Sequence, residues 1–279
     1  NKDLSILTKK KFSKKYISKY ILPIIDNIAN SKQKKILISG SQGIGKSTLL
    51  KIIEKNILKF YEKKILTLSL DDYYLPKKER WILSKKIHPL LITRGVPGTH
   101  NINEIFEIIK KFKKNQYPLK IPLFDKLTDR RKRNKKIVKK KADILIFEGW
   151  CCGCPPINKN YLYKNINFIE KKYDKNYLWR NYYNNLLIKE YSRMFKKFDK
   201  MIYLKPPSFK QILKWRTKQE KDLLKKSKKI KKGMNMKQIA VFIQHYEKIT
   251  KWMIKTLPKK ADLTVYVNKN QRIKKISSV

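Results

Sequence analysis

Residues Gly40 to Ser47 read Gly-Ser-Gln-Gly-Ile-Gly-Lys-Ser and fit G-x-x-x-x-G-K-[ST], a phosphate-binding loop that works only between a strand and a helix. The flanking residues supply that setting. Ile36-Leu37-Ile38-Ser39 reads as a short buried strand, and Leu49, Leu50, Ile52 and Ile53 give the following helix an apolar face, expected from Lys46 to about Tyr61. Glycines let backbone N–H groups curl round phosphate oxygens, and the helix N-terminus adds partial positive charge. Gly40, Ser41, Gln42, Gly43, Ile44, Gly45, Lys46, Ser47 and Thr48 are therefore the expected nucleotide-binding residues. Within them Lys46 reaches the outer phosphates and the Ser47 hydroxyl is suited to Mg2+. Only eight glycines occur in the chain, and three fall in this motif, so a chance match in a Lys-rich sequence is a poor explanation.

Two further runs read as strands of the same sheet. Lys64 to Leu70 is a β-rich run with polar flanks soon after the helix, which suggests a parallel βαβ unit, and it delivers Asp71 and Asp72 at its carboxyl end. Ligands gather outside the carboxyl ends of strands in open α/β sheets, so both carboxylates face the phosphate site. The run Ala142 to Phe147 is apolar throughout, as in a strand buried on both faces, and ends in Glu148. An acid there is costly without a partner, which marks Glu148 as a support for Mg2+.

Leu75 to His100 is expected to be loop-rich, and its Arg94 and His100 could clamp an anion. Asn101 to Phe112 reads as an amphipathic helix, and Arg130 to Lys141 as a solvated basic excursion whose first residue borders the site. Asn176 to Phe198 is expected to be helical, Met201 to Leu204 a strand, and Ser208 a cap for a helix carrying Arg216. Leu223 to Lys232 reads as a solvated helix end, Met236 to Leu257 as a long helix with an apolar stripe, and Ala261 to Val267 as the last strand. Residues 1 to 31 form a helical extension, with Pro23 near the start of a second short helix. No linker interrupts the rest. One domain over 1–279 is expected, with its core at about 34–267.

The net charge of +49 invites a nucleic-acid reading, but Lys outnumbers Arg 61 to nine and is spread over nearly every segment. Nucleic-acid sites favour the planar Arg fork, so a solvated Lys-rich surface is expected and no specific nucleic-acid partner. No apolar run reaches bilayer length, and no membrane partner is expected. Cys151, Cys152 and Cys154 crowd one loop, too close together for a disulfide framework and without a His or fourth Cys for zinc, which fits a reducing cytoplasm.

Taken together, Gly40 to Thr48, Ser69-Leu-Asp-Asp-Tyr-Tyr74, Arg94-Gly-Val-Pro-Gly-Thr-His100, Phe124-Asp-Lys126, Asp129-Arg130, Glu148-Gly-Trp150 and Trp215-Arg-Thr-Lys-Gln-Glu220 resemble the D-glycerate kinase branch of the P-loop kinases. That group also holds phosphoribulokinase, uridine kinase and pantothenate kinase. The resemblance implies an α/β P-loop fold, a mostly parallel sheet flanked by helices with a helical lid. It also implies transfer of the γ-phosphoryl of ATP to a hydroxyl of glycerate with Mg2+. Asp71 would then be the base, Asp72 and Glu148 would orient Mg2+ with Ser47, and Arg94, His100 and Arg130 would hold the acceptor carboxylate. Lys46 and lid residue Arg216 would neutralise developing charge. Two positions depart from the family pattern on the acceptor side: Asn101 stands where Asp is usual, and Leu127-Thr128 where glycines are. A nucleoside, pantothenate or sugar phosphate as acceptor, or an ATP-dependent nucleic-acid-binding protein, are the competing readings.

Overall fold

The computed structural model describes residues 2–8, 11–226 and 235–278. Its central sheet has six strands: β1 (Lys35–Gly40), β2 (Ile65–Ser69), β3 (Ile144–Gly149), β4 (Lys200–Lys205), β5 (Leu263–Val267) and β6 (Ile273–Ser278). Their order is β2-β3-β1-β4-β5-β6, with the first five parallel and β6 antiparallel to β5. β1 is therefore central, and the crevice at its carboxyl end is where such sheets bind ligands.

Strand parity divides the core in two, because successive side chains point to opposite faces. Leu37, Leu66, Leu68, Leu145 and Phe147 join one cluster with Ile105 and Ile109 of α2 (Ile102–Lys113), and with Trp179 and Tyr183. Tyr246 and Ile249 of α4 (Met236–Thr256) complete that side. Ile36, Ile38, Ile144, Ile146 and Ile202 face the other way, onto α1 (Lys46–Tyr61) and the N-terminal Ile24, Ile25 and Ile28. Burying one such side chain stabilises by about 1.5–3 kcal/mol, so the apolar stripe rather than helix propensity holds α1 in place. Helix α3 (Phe209–Lys226) begins at a cap in which Ser208 Oγ accepts the Gln211 N–H, and α4 at a capping box between Asn235 and Gln238. Residues 227–234, most of the expected basic helix end, lie outside the described residues.

Four expectations are corrected. The second strand stops at Ser69, and Leu70–Tyr73 is a 3-10 turn, so Asp71 and Asp72 do not alternate across a pleat. The loop after it contains a helix, Lys77–Lys86, hidden by its charge: its buried side chain is Arg80. Pro23 starts no separate helix. It sits in the first turn of Leu22–Ala29, which continues from Lys14 through a π-turn at Ile17–Ile21, and that wider turn accommodates the missing proline N–H. Finally, β5 is not the last strand, since β6 extends the sheet beyond residue 267. Cys151, Cys152 and Cys154 are free and buried, and burial pushes all three thiols up. Among the described residues no helix is long and apolar enough to cross a membrane.

Candidate active site

The loop from Gly40 to Lys46 needs two left-handed residues, Gly43 at φ 74° and Gly45 at φ 107°. A Cβ on Gly45 would meet nothing within 4 Å, so backbone conformation alone requires glycine there. At Gly43 a Cβ would also lie 2.9 Å from Trp215 Cβ, which brings α3 down onto the loop. Lys46 Nζ donates to the carbonyls of Gly40 (2.8 Å) and Ser41 (3.3 Å) and lies 3.7 Å from Glu148 Oε2. Ser39 Oγ, Ser41 Oγ and Gln42 Oε1 are buried without a hydrogen-bond partner, and Ser47 is exposed in the first turn of α1.

Pairing of β3 with β1 and β2 sets Glu148 beside Ile38 and Ser69. Glu148 is 8% exposed, and its carboxylate accepts the Ser69 hydroxyl at 2.5 Å, which offsets the cost of burying an acid. Two residues beyond Ser69, Asp71 Oδ2 accepts from Lys126 Nζ at 2.5 Å and Oδ1 accepts from Tyr74 Oη at 2.5 Å. Burial would raise the Asp71 carboxyl. The Lys126 ion pair, helped by both hydrogen bonds and by the charge of Lys46, instead holds it at about 2. Asp72 accepts the Phe124 N–H at 3.1 Å, and burial pushes its carboxyl upward with help from the negative charges of Asp71 and Glu148. The three acids thus form one cluster beside the phosphate loop.

The segment from Arg94 to His100 is clamped on several sides. Trp150 Nε1 donates to Gly95 O (2.9 Å), Tyr246 Oη donates to Arg94 O (2.7 Å), and Tyr191 Oη accepts the Gly98 N–H (3.1 Å). The Tyr191 hydroxyl proton has no other acceptor among the described residues and points to His100 Nδ1, 2.6 Å away, which puts the imidazole proton on Nε2. Burial drives the His100 pKa down to about 3, so His100 is a neutral donor, not the cationic half of an anion clamp. Its Nε2 is buried without a hydrogen-bond partner, and its ring stacks on Tyr74 at 4.8 Å.

Arg94 lies over Tyr74 and Phe124 and pairs with Asp129 at 2.5 Å, while Arg80 takes the other oxygen of Asp129 at 2.6 Å. Arg130 is exposed on a two-residue strand paired with Phe124–Asp125. Its neighbour Arg131 turns inward, donating to Tyr74 O and pairing with Glu104. Asn101 caps α2 by accepting the Glu104 N–H at 3.1 Å, so the departure from Asp at this position is a capping exchange. Arg216 lies half-buried on α3, and its charge is felt at the Tyr246 phenol.

Sequence reasoning missed Lys126, Tyr74, Asp129 and Tyr191. The first three stand inside segments already singled out, and Asp129 carries a further mark, a positive φ of 55° that Asp tolerates better than most. Tyr191 had no signal.

These residues fit ATP and Mg2+. The loop offers unpartnered Ser41 and Gln42 oxygens and an ammonium beside it. Ser47, Asp72 and Glu148 would supply hard oxygen donors, few in number, of the kind suited to Mg2+ held jointly by protein and phosphates. Among the described residues no three His, Cys, Asp or Glu side chains are placed to hold a metal ion by themselves.

The chain is 30% identical over 241 residues to "Uncharacterized kinase mug58" of Schizosaccharomyces pombe, covering 81% of this chain and 83% of that one. It is 30% identical over 252 residues to "Probable ATP-dependent kinase TDA10" of Saccharomyces cerevisiae, with 83% and 81% covered. Among solved structures it superposes on D-glycerate 3-kinase from Cryptococcus neoformans with a TM-score of 0.76 and 22% identity, covering 95% of this chain and 98% of that one. No family model matches.

Proposed function

The chain belongs to the family of ATP-dependent P-loop kinases that includes the two yeast proteins, and from that premise we propose that its acceptor is glycerate or a closely similar small hydroxy acid. One observation carries the reading. A carboxylate, Asp71, and an ammonium, Lys126, stand together at the end of β2 beside the phosphate loop. A hydroxy acid needs both, a base for its hydroxyl and a cation for its carboxylate. The likeness in fold to a D-glycerate 3-kinase supports the same acceptor.

In this reading the acceptor oxygen attacks the γ-phosphorus in line, Asp71 takes the hydroxyl proton, and the bond to the β–γ bridging oxygen breaks. Lys46 and the phosphate-loop N–H groups hold the outer phosphates, and Arg216 closes over them from α3. Ser47, Asp72 and Glu148 would hold Mg2+, whose chemistry is to neutralise the phosphate oxygens. Arg94 orients the acceptor loop through Asp129, and His100 offers a neutral N–H rather than charge. Arg130, exposed one residue beyond Asp129, remains a candidate for the acceptor carboxylate. Residues 1–279 act as one kinase domain, with 1–31 as its helical extension.

The test is ADP release by purified protein with ATP, Mg2+ and a panel of D-glycerate, other short hydroxy acids, uridine and pantothenate, the product being identified by phosphorus NMR. Saturable turnover confined to short hydroxy acids is expected. Turnover confined to a nucleoside or pantothenate overturns the acceptor assignment.

A further inference from the structure

We propose that Lys126 is a retractable cap on the Asp71 carboxylate, drawn aside by the anionic group of the acceptor, so that a neutral alcohol or water does not gain the base. The inference rests on the kinase reading and adds the means by which the site recognises an acid.

Both oxygens of Asp71 already accept a hydrogen bond, one from Tyr74 Oη and one from Lys126 Nζ, each at 2.5 Å. Each oxygen keeps a further lone pair, but the Lys126 ammonium lies against Oδ2 and neutralises its charge, so Asp71 becomes an effective base for a hydroxyl only once that ion pair has opened. Tyr74 is not the donor that leaves. Tyr74 is 4% exposed, its ring stacked on His100 and edge-on to Phe124 at 5.1 Å. Lys126 is 57% exposed, and its ammonium ends a flexible four-carbon stem.

The backbone beneath that arm is fixed. Asp125 accepts from Leu127 N (2.9 Å) and Thr128 Oγ (2.8 Å), and Arg94 Nη2 donates to Lys126 O (3.1 Å). Asp129, held by Arg80 and Arg94, secures the turn from the far side. A pinned pivot with a mobile charged arm can exchange one carboxylate partner for another with little change elsewhere.

The exchange is driven by charge. Lys126 sits among Asp71, Asp72 and Glu148, and an acceptor carboxylate offers it a further anionic partner. The two nearby guanidiniums, of Arg80 and Arg94, are already paired with Asp129 and compete poorly for that anion. Once Lys126 has moved, the acceptor hydroxyl attacks the γ-phosphorus, the bond from phosphorus to the ADP oxygen breaks, and the proton passes to the released Asp71 oxygen. With water as the nucleophile the same step yields inorganic phosphate, and the cap suppresses it.

The experiment measures ADP release from ATP and Mg2+ with no acceptor, with propionate, with glycerol and with D-glycerate, for the wild type and for Lys126→Met. Propionate carries the carboxylate without a hydroxyl. The wild type should release ADP slowly alone and several-fold faster with saturating propionate. Lys126→Met should release ADP faster alone, lose the response to propionate and lose most of the preference for glycerate over glycerol. A wild-type rate indifferent to propionate, or a variant as slow as the wild type without acceptor, overturns the cap. The wild-type arm stands even if the variant misfolds. Propionate-stimulated, Lys126-dependent ADP release without glycerate turnover would sink the acceptor assignment but keep the cap; glycerate turnover without a propionate response would do the reverse.

Discussion

At the scale of single residues the site separates into groups that do chemistry and groups that aim them. Asp71→Asn keeps the hydrogen-bonding outline but cannot take a proton, so turnover should fall by on the order of 10²–10⁴-fold with ATP affinity near wild type. Undiminished turnover would remove Asp71 from the mechanism. Lys46→Ala should abolish turnover while the melting temperature without ATP stays close to wild type, because Lys46 bonds loop carbonyls rather than the core. His100 gives a pH signature. Its folded pKa of about 3 lies below the ordinary 6.5, so the unfolded chain binds the extra proton first as the pH falls. The stability of the neutral buried ring is complete above pH 6.5 and is lost progressively between 6.5 and about 3. His100→Gln should flatten the decline in melting temperature over that window, and an unchanged slope would show that His100 charges freely in the fold.

Elements show how far the sequence could be read. The phosphate loop, the run ending in Glu148 and the amphipathic helix after Asn101 were legible because each has a periodicity or spacing that physics demands. The helix Lys77–Lys86 was not, since its inward contact is a guanidinium bonded to Leu75 O and Ile92 O rather than an apolar stripe. The pairing of Lys126 with Asp71 spans 55 residues and becomes visible only once the turn is folded against β2. Gly95 tests the clamped loop. Its φ is 128° and a Cβ would come within 2.4 Å of the buried Tyr246 ring, so Gly95→Ala should cost about 1–3 kcal/mol. The accompanying signature is a raised acceptor KM with an unchanged ATP KM; the opposite pattern would detach this loop from the acceptor. Asn101→Asp should match wild type in stability and activity, whereas Asn101→Ala should lose about 0.5–2 kcal/mol of stability by thermal or urea unfolding.

Over the whole molecule the dominant force beyond packing is self-repulsion. A net charge of +49 opposes compaction, while ion pairs such as Lys35–Asp199 and Lys251–Glu247 are partly solvated and individually weak. Salt screens repulsion between exposed charges over roughly 10 Å at 0.1 M, so the melting temperature should rise with sodium chloride between low salt and roughly 0.3 M. A falling melting temperature would show that ion pairs outweigh repulsion. The hydrogen bonds at the sheet edge have a different consequence, one of timing. Tyr16 Oη accepts the Ile273 N–H and Tyr20 Oη donates to Lys274 O, contacts that join residues 257 and 254 positions apart. An early-made helix is thus fastened by a late-made strand, and a chain still on the ribosome cannot close that seam until β6 has emerged. Final docking of the helix that carries Tyr16 and Tyr20 must wait until β6 has been made.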